Sequence, residues 1–371
     1  MDEQTDLEYP YAEHPAPGTT IELAEGVRWL TMPMPGSLSH INLYLLEDHD
    51  GWYVVDTGLS LPNVEEVWRE VFASQLGGKK IKGVICTHMH PDHIGQSAMI
   101  TETFQCPLYM TRAEYYQARA FSNNSGGSHH SSWIGANFYT QAGMPADYLE
   151  QLAKMWEARS SEGMSMPTMP SGYERLVDGQ IITIGNHDWQ VVVGSGHSPE
   201  HACLYCAALK IMISGDQILP IITSNVSVHP TEPNANPLKD WMESHDKFLN
   251  TPDDTFILPA HNLPFYGVRN RLRDLISHHD DRMLAIEEAC VEPKTAKELL
   301  PVLFARELDP RQMMMALGEA IAHVHLLIHR NRLERRLHED GILRFLSIDP
   351  DLSRRAHPDQ HDAPSDGPVM V

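Results

Sequence analysis

No stretch of about 18 consecutive apolar residues occurs in the 371-residue chain, so a membrane-spanning helix is not expected. The opening segment MDEQTDLEYPYAEHPAPG lacks the basic-then-apolar order of a secretory signal, so a flexible arm over residues 1–19 and a cytoplasmic location are expected. Cysteines number five, an odd count with no disulfide framework. Cys203 and Cys206 fall three apart in the strand-like HACLYCAAL, where they point to opposite faces and neither chelate nor bridge. Basic residues are also scarce: residues 1–266 hold 13 Lys and Arg against 32 Asp and Glu, a net −19. Nucleic-acid affinity depends on neutralising phosphates, so this balance speaks against a polyanionic substrate. A GxSxG nucleophile elbow is also absent.

What is present is a rhythm of strands and helices. GVRWLTMPMP, HINLYLLED and GWYVVDTG read as three strands parted by turn residues. LPNVEEVWREVFASQLGG then reads as a helix, with proline at its start, Val64, Val67, Trp68 and Val71 on one face and glycines at its end. IKGVICTH is a strand that leads into THMHPDHIG, and Ile94 starts the next helix. Residues 112–170 break the rhythm and read as an inserted helical cap. QIITIG, WQVVVGSG, ACLYCAAL, KIMISGD and TFILPAH form a second strand series, giving two similar halves with sheets backed by helices. Residues 267–349 read as three helices and a closing strand, GILRFLS, in a winged-helix-like domain. Residues 350–371 read as a disordered tail.

THMHPDHIG places His88, His90, Asp92 and His93 within six positions. Imidazole and carboxylate are the donors divalent zinc takes. On a turn, His88 and His90 can converge on one ion while Asp92 and His93 point to a second, about 3.5–4 Å away. One segment cannot fill either shell. His197, Asp216 and His261 each follow an apolar, strand-like run and supply the remainder.

This set resembles the metallo-β-lactamase fold superfamily in its hydrolase branch, through HMHPDH, His197, Asp216, His261 and the upstream VVDTG around Asp56. The resemblance covers roughly residues 20–266, the expected catalytic domain. It implies an α/β fold, a four-layer αββα sandwich with metals at one edge of the sheets, two Zn2+ ions (iron or manganese as alternatives), and a metal-bound hydroxide that attacks a carbonyl. His88, His90 and His197 would hold one metal, Asp92, His93 and His261 the other, and Asp216 would bridge both. Asp56 would brace the ligand loop, and Asp92 or Asp216 would relay the proton.

Three functions compete. A hydrolase of an acyl thioester, ester or lactone fits the acidic surface and the cap, whose Tyr115, Tyr116, Trp133, Phe138 and Tyr139, with Phe121 and Trp156, could line an apolar pocket for a small-molecule acyl substrate. An endoribonuclease would use Arg330, Arg332, Arg335 and Arg336, although Glu334 and Glu339 lie among them and favour a solvated helix face. A scaffold or dimerising module is disfavoured by the complete ligand set, and a homodimer is compatible with the first reading.

Overall fold

Seven strands pair in chain order to build the first sheet of the computed structural model, which describes residues 7–36, 38–123, 133–161 and 167–351. They are β1 (Ile21–Ala24), β2 (Val27–Pro33), β3 (His40–Asp48), β4 (Gly51–Val55), β5 (Lys80–Ile85), β6 (Leu108–Met110) and β7 (Glu174–Arg175). β1 to β4 pair antiparallel, and β4 to β7 parallel. The second sheet contains β8 (Ile181–Ile184), β9 (His187–Gly194), β10 (His201–Cys206), β11 (Ile211–Gly215) and β12 (Phe256–Pro259), in the order β12-β11-β10-β9-β8. Only its β11–β12 pair is parallel.

Side chains alternate along a strand, so a strand covered on both faces reads as an unbroken apolar run. HINLYLLED in β3 is such a strand. Its Tyr44 and Leu46 enter the core between the sheets with Trp29, Val55, Ile85, Trp189, Val191, Leu204, Ile213 and Leu258. Its Ile41, Leu43 and Leu45 join the opposite core, against α1 (Pro62–Ser74), α2 (Pro91–Ile94), α3 (Ser97–Phe104) and α4 (Arg112–Asn123). Val64, Trp68 and Val71 form the buried face of α1, and the Trp68 indole donates to Thr57 O at 2.8 Å.

Two compact units emerge. The first comprises Met1–Ser125, Glu162–Ile221 and Ser244–Leu272; the second comprises Gly126–Ser161, Ile222–Glu243 and Arg273–Val371. The described helices from residue 133 onward are α5 (Trp133–Gln141), α6 (Ala146–Ser161), α7 (Pro237–Phe248), α8 (Val268–Ala289), α9 (Ala296–Leu303) and α10 (Pro310–His329). The end of α7 belongs to the first unit. There Ser195 N donates to Ser244 Oγ at 3.2 Å and Lys247 reaches Val193 O at 2.9 Å, which backs the second sheet with helix and completes the αββα order.

In the second unit α6 packs on α10, with the Tyr148 hydroxyl donating to Pro310 O at 3.3 Å, and Lys297 N donates to Ala142 O at 3.0 Å. Capping boxes start α9 at Thr295 and Glu298, and α10 at Asp309 and Gln312. The unit ends in a hairpin of β13 (Leu333–Leu337) and β14 (Leu343–Ser347). None of the described helices is long and apolar enough to cross a membrane.

Four details differ from the sequence reading. The described part of the N-terminal arm, residues 7–19, is held: Glu8 pairs with Tyr266 through both backbone bonds, Tyr11 packs edge-on to Trp29, and Thr31 donates to Pro15 O at 2.8 Å. Residues 133–161 of the expected cap group with the C-terminal residues, because α6 finds its apolar partner on α10. Of the arginine cluster, Arg335 and Arg336 lie on β13 rather than a helix, since LERRL pairs in register with LRFLS, while Arg330 caps α10 and Arg332 lies in the turn between them. The helix after the histidine cluster begins inside it, at Pro91. The tail beyond residue 351 lies outside the described residues.

Candidate metal centre

The chain reaches the site from the end of β5. Thr87 N donates to Asp56 Oδ1 at 2.8 Å, and His88 follows at once. His90 caps α2 in extended backbone and Pro91 takes the first helical position, where its missing N–H costs nothing. The change from extended chain to helix brings Asp92 and His93 in from a different direction, with the His93 ring 3.9 Å from that of His88. Gly95 closes the motif by close packing: a Cβ there would sit 2.3 Å from Gly58 O and 2.4 Å from Ser60 N. Gly95→Ala should therefore cost on the order of 1–3 kcal/mol through overpacking and displace Asp92 and His93. Thermal melting and metal affinity would both register it; wild-type values for both would contradict this contact.

His197 follows β9, Asp216 follows β11 and His261 follows β12. Gly215, at φ +52°, carries the turn into Asp216, where a Cβ would meet the His201 ring at 2.6 Å. All seven candidate ligands converge in two groups. His88, His90, His197 and Asp216 form one, and Asp92, His93 and His261 the other, with donor atoms inside each group within 4.8 Å of one another. Within the first group His88 Nε2 lies 2.8 Å from His90 Nδ1 and 3.2 Å from His197 Nε2. In the second, Asp92 Oδ2 lies 3.4 Å from His261 Nε2 and 3.6 Å from His93 Nε2. Asp216 stands between them: its Oδ2 is 3.4 Å from His197 Nε2 and its Oδ1 is 3.5 Å from His261 Nε2.

This donor set fits a pair of divalent metals. Nε2 of His93 and Nε2 of His261 are buried, make no hydrogen bond of normal geometry and face the Asp92 and Asp216 carboxylates at 3.4–3.6 Å, a spacing that a cation between the donors would satisfy. Burial and the neighbouring imidazoles push His88 far down; burial and His197 bring His90 to about 3. Both therefore stay neutral, the form that ligates metal. Asp92 is held at about 2, because His93 and His261 outweigh the opposing effect of burial.

Other residues fix the ligands. Asp56, in left-handed backbone at φ +62°, accepts from Thr87 and faces His93 Nδ1 at 2.8 Å. A proton on Nδ1 directed at this carboxylate leaves Nε2 as the ligand atom. Asp56→Asn should weaken metal binding by about 10–100-fold, read by chelator competition; an unaltered constant would mean that His93 needs no such brace. His201 Nε2 accepts from Asp216 N at 3.1 Å, so this histidine supports a ligand and lies outside both groups. Glu114, unremarked in the sequence, is fully buried in α4 and accepts from Met89 N at 2.9 Å and Glu200 N at 2.7 Å.

The aromatic candidates separate. Tyr115 is a core residue of the first unit, stacked on Tyr173 at 3.9 Å, with its hydroxyl donating to Pro170 O. Phe121 packs partly buried against the same core. Phe138 and Tyr139 are buried in the second unit, Tyr139 edge-on to Tyr148. Tyr116 and Trp133 are 60% and 78% exposed, which leaves them as the solvent-facing aromatics of the set. The Trp156 side chain lies outside the described residues.

Two sheets backed by helices, with paired His/Asp groups at their strand ends, define a metallo-hydrolase fold. The metallo-beta-lactamase superfamily model matches residues 36–261, more than half of the chain, and a metallo-beta-lactamase-like C-terminal domain model matches residues 283–348. The chain belongs to the metallo-beta-lactamase superfamily. It is 38% identical to a beta-lactamase domain protein from Burkholderia ambifaria, whose crystal structure aligns over 92% of this chain and 98% of that one with a TM-score of 0.84. A metallo-beta-lactamase family protein from Thermus thermophilus aligns over 88% and 100%, at 25% identity and a TM-score of 0.71. An acyl-coenzyme A thioesterase from Bos taurus is 25% identical over 205 residues, 53% of this chain and 64% of its own length. The chain spans 49% of the length of an uncharacterized relative from Aquifex aeolicus and 64% of that of the bovine and human acyl-coenzyme A thioesterases.

Proposed function

We propose that the protein is a two-metal hydrolase of acyl carbonyl compounds, with a thioester as the first choice and an ester or lactone as alternatives. The observation that carries this reading is the placement of Asp216, whose Oδ2 lies 3.4 Å from His197 and 3.5 Å from His93 and whose Oδ1 lies 3.5 Å from His261, so that the one carboxylate reaches both groups. His88, His90 and His197 would hold one metal and Asp92, His93 and His261 the other. Zinc suits this imidazole-rich set, and iron or manganese are the alternatives. When bound, such a pair lowers the pKa of a shared water toward ~7 and polarises a carbonyl oxygen.

The chain's own residues then have separate tasks. Five imidazoles and Asp216 fix the geometry, and burial of His88, His93 and His261 keeps bulk water away from their ligand atoms. Asp92 is the proton acceptor with a route to solvent: its side chain is 16% exposed, against 2% for Asp216. The proton released as water adds to the carbonyl would pass to Asp92 and then leave.

Against the endoribonuclease reading stands the state of the C-terminal arginines. Arg330 pairs with Asp280 at 3.8 Å, Arg332 with Glu287, and Arg336 with Glu334 at 2.5 Å, while Arg335 donates to Asn234. Phosphate contacts would have to displace these partners. The thioesterase among the relatives favours the carbonyl. The test is a panel of acyl-coenzyme A thioesters, p-nitrophenyl esters, lactones and single-stranded RNA, each with and without chelator. Chelator-sensitive hydrolysis of an acyl compound with RNA intact is expected. RNA cleavage that falls steeply with salt, beside inert acyl compounds, would reverse the assignment.

A further inference from the structure

We infer that Glu114 is a positioning residue that sets the first ligand group by clamping its two loops together; this rests on the two-metal reading above. His88 and His90 come from the loop after β5, whereas His197 comes from the loop after β9, more than 100 residues later. Glu114 meets both. Its Oε2 accepts from the backbone N of Met89, the residue between His88 and His90, and its Oε1 accepts from the backbone N of Glu200, three residues past His197. The clasp is reciprocal: Glu200 Oε2 accepts from Ala113 N at 2.9 Å, at the start of α4, and Thr111 donates to Glu200 O at 2.7 Å. The start of β10, just past the second loop, also joins the first loop directly, Ala202 N donating to Thr87 O at 2.8 Å.

A carboxyl group offers an acceptor on each of two oxygens, which no amide side chain does. A glutamine of the same shape keeps one acceptor and turns an NH2 toward the other amide, donor against donor. One loop must then be released, and an unpaired buried N–H is left behind. Asp56 does the corresponding work for His93 in the second group. Asp56 also holds Thr87, whose hydroxyl lies 3.1 Å from His88 Nδ1, so it touches both groups, whereas Glu114 meets only the two loops of the first.

The test loads the full-length protein with 113Cd2+ and follows the resonance of each group by NMR, with chelator competition giving the two affinities. The wild type should show two resonances; fewer would count against the two-metal reading itself, independently of Glu114. In Glu114→Gln the affinity of the three-histidine group should fall about 10–100-fold while the other group is unchanged. Asp56→Asn should lower both affinities, because Asp56 holds His93 directly and His88 through Thr87. Glu114→Asp, which keeps two acceptor oxygens, should recover part of the loss, and serves as the readout if the glutamine variant does not fold. Unchanged affinities in Glu114→Gln would overturn the inference. So would equal losses in both groups, or a Glu114→Asp protein no better than Glu114→Gln.

Discussion

Asp216→Ala is expected to abolish hydrolysis, by on the order of 10³-fold or more, well above the 10–100-fold typical of residues that merely support a ligand. Asp216 faces His197 with one oxygen and His261 with the other, so its removal takes a donor from both groups. The backbone bond from Asp216 N to His201 is kept in the variant, which makes the loss chemical rather than a collapse of the turn. His90→Ala, by contrast, removes a donor from one group only. Metal content and turnover measured together distinguish the two: a full-rate Asp216→Ala enzyme would mean that the carboxylate does not join the groups.

The candidate ligands were legible because each lies next to a local signal. HMHPDH carries four of them on a single turn, and His197, Asp216 and His261 each follow an apolar strand. The strand series was legible for the same reason, since HINLYLLED and GWYVVDTG carry their burial in their composition. Glu114 was not legible. In TRAEYYQAR it reads as an ordinary polar helix residue, and its partners Met89 and Glu200 lie 25 and 86 positions away. The first strand of the C-terminal hairpin was hidden by composition: Glu, Arg and Leu are good helix formers, and only pairing with LRFLS makes LERRL a strand. The grouping of α6 with α10 depends on contacts such as Tyr148 to Pro310, 162 positions apart, beyond any local pattern.

Arg282→Ala should produce the largest loss of stability, about 3–5 kcal/mol, because it strands a buried carboxylate. Arg282 and Glu319 are buried in the second unit with 3.9 Å between Nη1 and Oε1. Arg282 also donates to His278 at 2.6 Å and to Leu303 O at 3.0 Å, and its guanidinium lies 5.1 Å from the centre of the Phe304 ring. Burial already raises the Glu319 carboxyl, and Arg282 opposes that rise. Without the arginine the carboxyl would have to take up a proton or remain charged in the core. The second unit's melting temperature should fall by roughly 6–20 °C. Arg282→Met with Glu319→Leu should recover most of it, because an apolar pair leaves no charge behind. A single variant that melts with the wild type would show that the pair contributes nothing.

The central claim is that both metals are needed for one hydrolytic reaction, and stoichiometric reconstitution tests it most directly. Metal-free protein titrated with Zn2+ should bind two equivalents per chain by element analysis, with thiol release from an acyl-coenzyme A thioester rising to its maximum only as the second equivalent binds. Full hydrolysis by the metal-free protein, or a maximum reached at one equivalent, would contradict it.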